Sequence, residues 1–153
     1  MNRKILSVVF VSAAAAAWSL PAYSQAKPDT LVKQRQAAMT LQGKYFGPMA
    51  GMAQGKIPYN AAVVTRNAGY LDVLAKMPWD GFQPSTKGEK SGALPAVFNE
   101  PQKFKQAQDQ FEAEVAKLAQ VSKGGDEGAI KNQILAVNKT CSGCHDDFRE
   151  KRQ

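Results

Sequence analysis

Cys141-Ser142-Gly143-Cys144-His145 is the stretch around which the rest of this chain must be arranged. It contains the only two cysteines and the only histidine of the 153 residues. Two thiols three positions apart, followed at once by an imidazole, form the attachment signature of c-type haem. The thiols can add to the two haem vinyl groups, and the imidazole can ligate the iron from one side. The string therefore predicts one covalently attached haem c, anchored by Cys141 and Cys144, with His145 as an axial iron ligand.

Other interpretations of the two cysteines are weaker. A structural zinc site usually needs four ligands, and two cysteines with one histidine fall short. A thioredoxin-like redox pair is expected near a βαβ pattern, which this sequence does not contain. A plain disulfide in a cofactor-free helical protein remains the distant alternative, because cysteines at helical i and i+3 lie near bridging distance. The adjacent histidine and the export signal described next favour haem attachment.

Residues 1–24 have the features of a secretory signal peptide. Positions 3 and 4 are basic, residues 5–20 are largely apolar and rich in alanine, and small residues stand at 22 and 24. Cleavage is expected after Ser24. A membrane anchor is the alternative, but the apolar run is shorter than the ~20 residues that a span needs. Export predicts an oxidising compartment, most simply a bacterial periplasm.

The mature chain would comprise residues 25–153, a length suited to one domain with a single core. The full chain carries a net charge of +7, and removal of the two basic residues in the signal segment would leave +5. This charge favours acidic protein partners, including redox partners, over nucleic acid, given the export signal. No stable membrane insertion is expected once the signal is removed. No second histidine, paired carboxylates or nucleophile arrangement supports an enzyme.

Turn signals divide the mature chain into four predicted helices. They begin at the Asp29-Thr30 capping pair, at Asn60, at Asn99-Glu100-Pro101 and at Asp126, and the first three end near Gly55, before Pro78 and at Gly124-Gly125. No period-two stretch indicates a sheet. With two short connections among three, the pattern predicts an all-α, antiparallel up-down four-helix bundle, a common host for a core cofactor. Gly47-Pro48 should kink the first helix or split off its last turns.

Apolar residues recur near the helical period in each segment, which marks the faces expected in the core. These positions are Leu31, Ala38, Met39, Leu41, Phe46 and Met49; Val64, Ala68, Leu71 and Ala75; Phe104, Ala107, Phe111, Val115 and Leu118; and Ile130, Ile134, Val137 and Phe148.

A long loop is predicted at residues 77–98, between the second and third helices. It contains three prolines and three glycines and begins with two large aromatics, Trp79 and Phe82. Loops of this length are uncommon in compact domains and are often functional. Trp79 and Phe82 either close the end of the bundle or contact the haem, and the two roles are compatible.

Cys141, Cys144 and His145 fall at i, i+3 and i+4 of the fourth helix and therefore share one face. The sixth iron position decides the chemistry. With no second histidine, methionine is the usual alternative ligand. The mature chain has four methionines, Met39, Met49, Met52 and Met77, and core filling is favoured for the last three.

The layout resembles the class II c-type cytochromes, and specifically cytochrome c′, in which a four-helix bundle carries the haem motif near the C-terminus. The resemblance covers nearly all of the mature chain. It rests on VKQRQAAMTL (32–41), YFGPM (45–49), PYNAA (58–62), LAKMPW (74–79) with Phe82, and CSGCHDDFR (141–149).

This resemblance implies roles for further residues. Arg35 and Gln36 match the pair on the first helix that contacts haem, Arg35 through the propionates, which suits guanidinium pairing with carboxylates; a solvated surface charge is the alternative for Arg35. Met39 matches the position that covers the distal haem face. Arg149 matches a basic residue beside the proximal face, or it compensates the macrodipole at a helix C-terminus. Trp79 and Phe82 match the family's loop.

The resemblance leaves two coordination states open. In cytochrome c′ the distal residue does not bind iron, the haem is five-coordinate and high-spin, and nitric oxide or carbon monoxide can reach it. In low-spin relatives a methionine of the first helix is the sixth ligand, and the protein only transfers electrons. The expected function is thus electron transfer or gas binding at iron ligated by His145, with six-coordinate His145/Met39 electron transfer as the alternative. The family also implies a homodimer packed through the first two helices.

Overall fold

A computed structural model describes residues 26–151, and over that range the chain is helical. The predicted signal peptide lies outside the described residues. Four long helices form an antiparallel up-down bundle, as the sequence predicted, and a short fifth helix lies in the long connection. Their bounds are α1 Pro28–Ala53, α2 Ala61–Leu74, α3 Ala96–Asn99, α4 Pro101–Val121 and α5 Glu127–Phe148.

The long helices pack in a ring in which α1 contacts α2, α2 contacts α4, α4 contacts α5 and α5 contacts α1. Residues 54–60 and 122–126 make the two short connections, so consecutive helices run in opposite directions. None of the helices between residues 26 and 151 is long and apolar enough to cross a membrane.

Local chemistry fixes most helix starts where the sequence predicted them. The Asn60 side chain accepts a hydrogen bond from the Val63 N–H at 3.0 Å, and the Asp126 side chain accepts one from the Ala129 N–H at 3.0 Å. Pro101 opens α4, where its missing N–H has no intrahelical partner to lose. The predicted Asp29-Thr30 cap is wrong, because α1 already begins at Pro28 and Lys27 makes no side-chain cap.

The expected split at Gly47-Pro48 is also wrong, since α1 continues through Pro48 to Ala53. Gly47 and Pro48 are exposed, whereas Met49 and Met52 are buried at 0% and 6% exposure. Burying the two methionine side chains in the core holds the last turns in place and offsets the backbone hydrogen bond that Pro48 cannot make.

One half of the bundle has a continuous apolar core. It lies where the C-terminal halves of α1 and α4 meet the N-terminal halves of α2 and α5. Its members with 0% exposure are Met49, Val64, Ala68, Val115, Leu118, Ile134 and Val137. A second, smaller cluster of Val97, Phe104 and Phe148 closes the other half beneath the long connection.

Two predicted core positions are wrong. Leu41 is 41% exposed and Met77 is 51% exposed. Leu41 lies on the outer side of α1 facing α2, and Met77 lies beyond the end of α2 in the loop. Helical spacing alone cannot separate an inward apolar face from an outward one on the same helix.

The long connection is more regular than predicted. It contains two one-turn 3₁₀ helices, Trp79–Gly81 and Pro84–Thr86, and α3, which takes in the last predicted loop residues. Its end pairs with the residues that follow α5, through an isolated antiparallel bridge between Ala93 and Arg149. The connection therefore lies across one end of the bundle and is fastened there.

Candidate cofactor site

A cavity of about 990 Å³ lies in the half of the bundle that the long connection covers. All four long helices, the loop and the C-terminal segment contribute to its walls. Every site residue predicted from the sequence lines it: Arg35, Gln36, Met39, Trp79, Phe82, Cys141, Cys144, His145 and Arg149. The structure thus brings together residues that are up to 114 positions apart in the sequence.

The α5 wall carries the two thiols and the imidazole. Cys141 and Cys144 are half-buried free thiols, and His145 is exposed at the cavity. Burial raises the pKa of Cys141 to about 11, with a smaller contribution from Cys144, and burial likewise raises the pKa of Cys144. Both thiols are therefore protonated at neutral pH, and a thiol supplies the sulfur and the hydrogen that addition to a vinyl group consumes.

The α1 wall presents the adjacent residues Arg35 and Gln36, and then Met39, Thr40 and Gly43 further along the helix. Met39 is half-buried and faces the same cavity as His145. Its flexible thioether is suited to packing against an irregular surface and is also a soft metal ligand.

Arg35 is 3% exposed, so the alternative of a solvated surface charge is wrong. Its Nη1 donates to the Gly81 carbonyl at 2.5 Å and to Thr86 Oγ1 at 3.0 Å, and its Nη2 donates to Ser91 Oγ at 2.9 Å. The guanidinium also lies 4.4 Å from the centre of the Phe82 ring. Burial lowers the pKa of Arg35, but a guanidinium remains charged in proteins. A guanidinium has about five N–H groups. The bonds to Gly81, Thr86 and Ser91 use three of them, so two N–H groups of Arg35 remain that can bind a carboxylate.

The positions of Trp79 and Phe82 are compatible with both roles that the sequence left open. Trp79 packs edge-on against Phe104 and Phe111, with ring centres 6.2 and 6.3 Å apart, so it joins the two apolar clusters. Both aromatics also line the cavity. The Trp79 Nε1 is buried and has no hydrogen-bond partner among the described residues, which is uncommon for an indole N–H.

Arg149 lies directly after α5, half-buried, and lines the cavity one turn beyond His145. The position suits both of its predicted roles. Nearby, Lys103 of α4 donates to Asp147 at 3.0 Å and lies 5.6 Å from the Phe148 ring centre, which ties α4 to the last turn of α5.

The sequence interpretation missed several lining residues. Phe46, Leu71, Ala107, Phe111 and Phe148 line the cavity although their spacing marked them only as core. Their helical period is the same whether the face meets another helix or a cavity. These lining residues could have been identified by their height along the bundle axis, which is similar to that of Cys141 and Cys144.

The residues present fit a covalently held haem. The cavity volume is near the upper end of the range of about 300–1,000 Å³ for small-molecule and cofactor sites. One wall offers two thiols and an imidazole, another offers unused guanidinium donors, and aromatic rings supply apolar surface.

Comparison with known proteins gives the family. The profile of the cytochrome C′ family matches residues 30–149. The chain belongs to the cytochrome c′ family. It is 42% identical over 126 residues to cytochrome c′ of Rubrivivax gelatinosus, covering 82% of this chain and 98% of the relative. The crystal structure of the Rubrivivax gelatinosus protein superposes with a TM-score of 0.77, at 41% identity, over 81% of this chain and 98% of that one.

A second set of solved structures carries information on ligands. A variant of cytochrome c prime from Alcaligenes xylosoxidans in complex with nitric oxide superposes with a TM-score of 0.76, at 35% identity, over 83% of this chain and 98% of that one. A carbon monoxide-bound variant of that protein superposes with a TM-score of 0.75, at 36% identity, over 82% and 98% of the two chains. Cytochromes c′ carry one covalently bound haem c, so the cofactor-free alternative is set aside.

Proposed function

We propose that this protein is an exported cytochrome c′ that binds small gases and transfers single electrons, with Cys141 and Cys144 holding the haem and His145 ligating its iron. When bound, the haem supplies an iron that exchanges one electron and takes up neutral diatomic ligands. The observation that carries the proposal is the shared cavity, with both thiols and the imidazole on one wall and an apolar side chain, Met39, on another.

The chain's own residues divide the work around the cavity. Arg35 keeps two N–H donors for a propionate, and Gln36 lies beside it on α1. Met39 would cover the open side of the haem with a side chain that can move, which would admit small ligands and exclude large ones. Arg149 would place a positive charge near the haem on the side of His145. No residue is assigned a catalytic role.

Optical spectroscopy of the purified holoprotein tests the coordination state. A broad ferrous Soret band that shifts on addition of carbon monoxide is the expected result for an open, five-coordinate iron. Sharp ferrous α and β bands that carbon monoxide leaves unchanged would contradict gas binding.

Six-coordinate His145/Met39 electron transfer is the second candidate, because Met39 faces the same cavity as His145. Met39→Leu separates the two, since leucine keeps a similar volume without a sulfur ligand. Under gas binding the resting spectrum stays high-spin and only the rate of carbon monoxide binding changes. Under Met39 ligation the variant loses its low-spin bands and gains carbon monoxide binding.

We also infer export to a periplasm, which rests on residues 1–24. Intact mass of the holoprotein tests it, and a mature chain that begins at position 25 and carries one haem is expected. A mass that retains the first 24 residues would contradict cleavage.

We further infer a homodimer packed through α1 and α2. Leu41, Tyr70 and Val73 are 41%, 48% and 56% exposed and line a shallow groove between the two helices together with Tyr45 and Leu74. A charge at the centre of such a patch opposes burial against a second copy. Val73→Lys is expected to yield a monomer in sedimentation velocity. Leu135→Lys is the control, because Leu135 is 42% exposed on α5 and lies outside the groove.

A further inference from the structure

The long connection is held at two places beside the cavity. On the α1 side, Arg35 donates three hydrogen bonds to it, at Gly81, Thr86 and Ser91. On the α5 side, the Leu94 N–H donates to the Phe148 carbonyl at 3.0 Å. The Glu150 N–H returns a bond to the Gly92 carbonyl at 2.9 Å.

Ser91 connects the contacts that the loop makes with α1 to those that it makes with the end of α5. Its Oγ accepts from Arg35 Nη2 at 2.9 Å and from the Ala93 N–H at 3.3 Å, and Ala93 is the residue that pairs with Arg149. Hydrogen bonds and covalent bonds thus run without a break from Arg35, four residues before Met39, to Arg149, four residues after His145.

On the α1 side, the loop packs so closely against α1 that no side chain fits at Gly81. A Cβ atom added at Gly81 would lie 2.7 Å from the Arg35 Cβ and 2.9 Å from the Leu31 carbonyl oxygen. The loop backbone therefore rests directly on α1. Thr86 is 1% exposed behind it, and its hydroxyl also donates to the Gln83 carbonyl at 2.7 Å.

We infer that these contacts form a clasp, with Arg35 as its positioning residue, and that the clasp controls how fast a small ligand reaches the cavity. The clasp comprises Arg35, Thr86, Ser91, the Ala93–Arg149 bridge and the Gly92–Glu150 bond. When it is closed, Trp79 and Phe82 form one wall of the cavity. When it opens, that wall moves away from α1. The control of ligand access by the clasp rests on the proposed function.

Thr86→Val tests the α1 fastening. Valine nearly matches the shape of threonine, and Thr86 does not line the cavity, so the change removes a hydroxyl from the clasp without altering the haem surroundings. Loss of a hydrogen bond to a charged group should shift loop opening by about tenfold. Hydrogen exchange of the Leu94 and Glu150 amides, followed by mass spectrometry, is expected to quicken by about that factor.

Thr65→Val is the matched control for this variant. Thr65 donates to the Ser122 carbonyl at 2.8 Å in the other half of the bundle, so it also loses a hydroxyl that links two elements. It should leave exchange of the loop amides unchanged.

Glu150→Pro tests the α5 fastening independently, should Thr86→Val fold poorly. Proline removes the N–H that bonds Gly92, and the preceding Arg149 is already extended at φ −131° and ψ 139°, as proline requires. Glu150→Ala is its control, because alanine removes the same side chain but keeps the N–H. Proline, and not alanine, should quicken exchange at Leu94.

Carbon monoxide binding to the ferrous holoprotein gives the second readout. Its association rate should rise by up to about tenfold in Thr86→Val relative to wild type and in Glu150→Pro relative to Glu150→Ala, in proportion to the open population, and stay unchanged in Thr65→Val. Unchanged exchange in both test variants would overturn the clasp. Faster exchange with an unchanged association rate would overturn its control of access. Failure of the wild-type protein to carry haem would instead overturn the proposed function, while amide exchange would still test the clasp.

Discussion

The two halves of the bundle are built from the same four helices but filled differently. In one half, Met49, Val64, Leu118 and Ile134 are fully buried and pack against one another. In the other half, the same helices line a cavity of about 990 Å³, and their inward residues include two thiols. Side chains alone fill the packed half, whereas the half with the cavity is filled by the haem that the protein binds.

Because the two halves are filled differently, residues in the packed half mainly determine stability, and residues around the cavity mainly determine function. Side chains in the packed half gain their free energy from burial and close contact, which depend on volume and shape. Side chains around the cavity include cysteine, histidine and a buried arginine, whose role depends on their thiol, imidazole and guanidinium groups and not on their volume. Substitutions in the two halves should therefore change different measured properties.

The largest effect is expected at the cysteines. The double substitution Cys141→Ala with Cys144→Ala removes both thiols and should abolish the pigment that survives a denaturing gel, measured by haem staining. Ser142→Ala is the control, because among the described residues the Ser142 hydroxyl bonds carbonyls of its own helix, at Asn138 and Lys139, both at 3.1 Å. Pigment retained by the double variant would contradict covalent attachment at these positions.

In the packed half, Leu118→Ala should lower the free energy of unfolding by about 2–5 kcal/mol, because it leaves a cavity at a fully buried site. Denaturant titration of the holoprotein measures this. The optical spectrum should not change, since Leu118 does not line the cofactor cavity. Leu135→Ala, at a 42% exposed position, is the control and should stay within about 0.5 kcal/mol of wild type. A spectral change in Leu118→Ala would show that the halves are coupled.

The sequence predicted the packed half better than the boundary between the halves. Helical spacing identified Val64, Ala68, Val115 and Leu118 because a buried stripe repeats every three or four residues. The same spacing placed Leu41 in the core, although it is exposed. A pattern along one helix records which face is apolar and does not record what covers that face.

The site residues were predicted from a local motif and from resemblance to a family, and neither source of information covers the contacts that hold the loop. Cys141, Cys144 and His145 follow from a local motif, and Arg35, Met39 and Arg149 follow from resemblance to the family. The fastening of the loop follows from neither, because Arg35 meets Ser91 across 56 positions and through side chains that are common in any loop. Contacts of this kind depend on the whole fold and have no signature in the sequence.

A smaller effect is expected where the loop meets α1. Gly81→Ala should destabilise the protein by about 1–3 kcal/mol, because its Cβ would lie 2.7 Å from the Arg35 Cβ. Gly69→Ala is the matched control on α2, where an added Cβ meets nothing within 4 Å, and it should stabilise the protein by about 0.5–1 kcal/mol. Thermal unfolding of both variants measures the difference. Equal shifts would mean that the loop does not rest on α1.

The smallest effect concerns the ion pair at the end of α5. The hydrogen bond from Lys103 to Asp147 raises the pKa of Lys103 above its ordinary value of 10.5, with further support from the charges of Asp147 and Glu100. A raised lysine pKa contributes stability that is fully present below pH 10.5 and is lost as the pH rises through the folded-state pKa. Lys103 is 53% exposed, so water and salt weaken the contribution.

Lys103→Gln should therefore lower the melting temperature slightly at pH 8, and this difference from wild type should disappear at pH values above the folded-state pKa. Lys117→Gln is the control, since Lys117 forms no ion pair with a carboxylate of the described residues. A difference that persists at high pH would assign the effect to the packing of the Lys103 chain over Phe148, 5.6 Å from its ring centre, and not to its charge. In either case the change lies beside the cavity, so the spectrum of the holoprotein at pH 8 should be compared in parallel with stability.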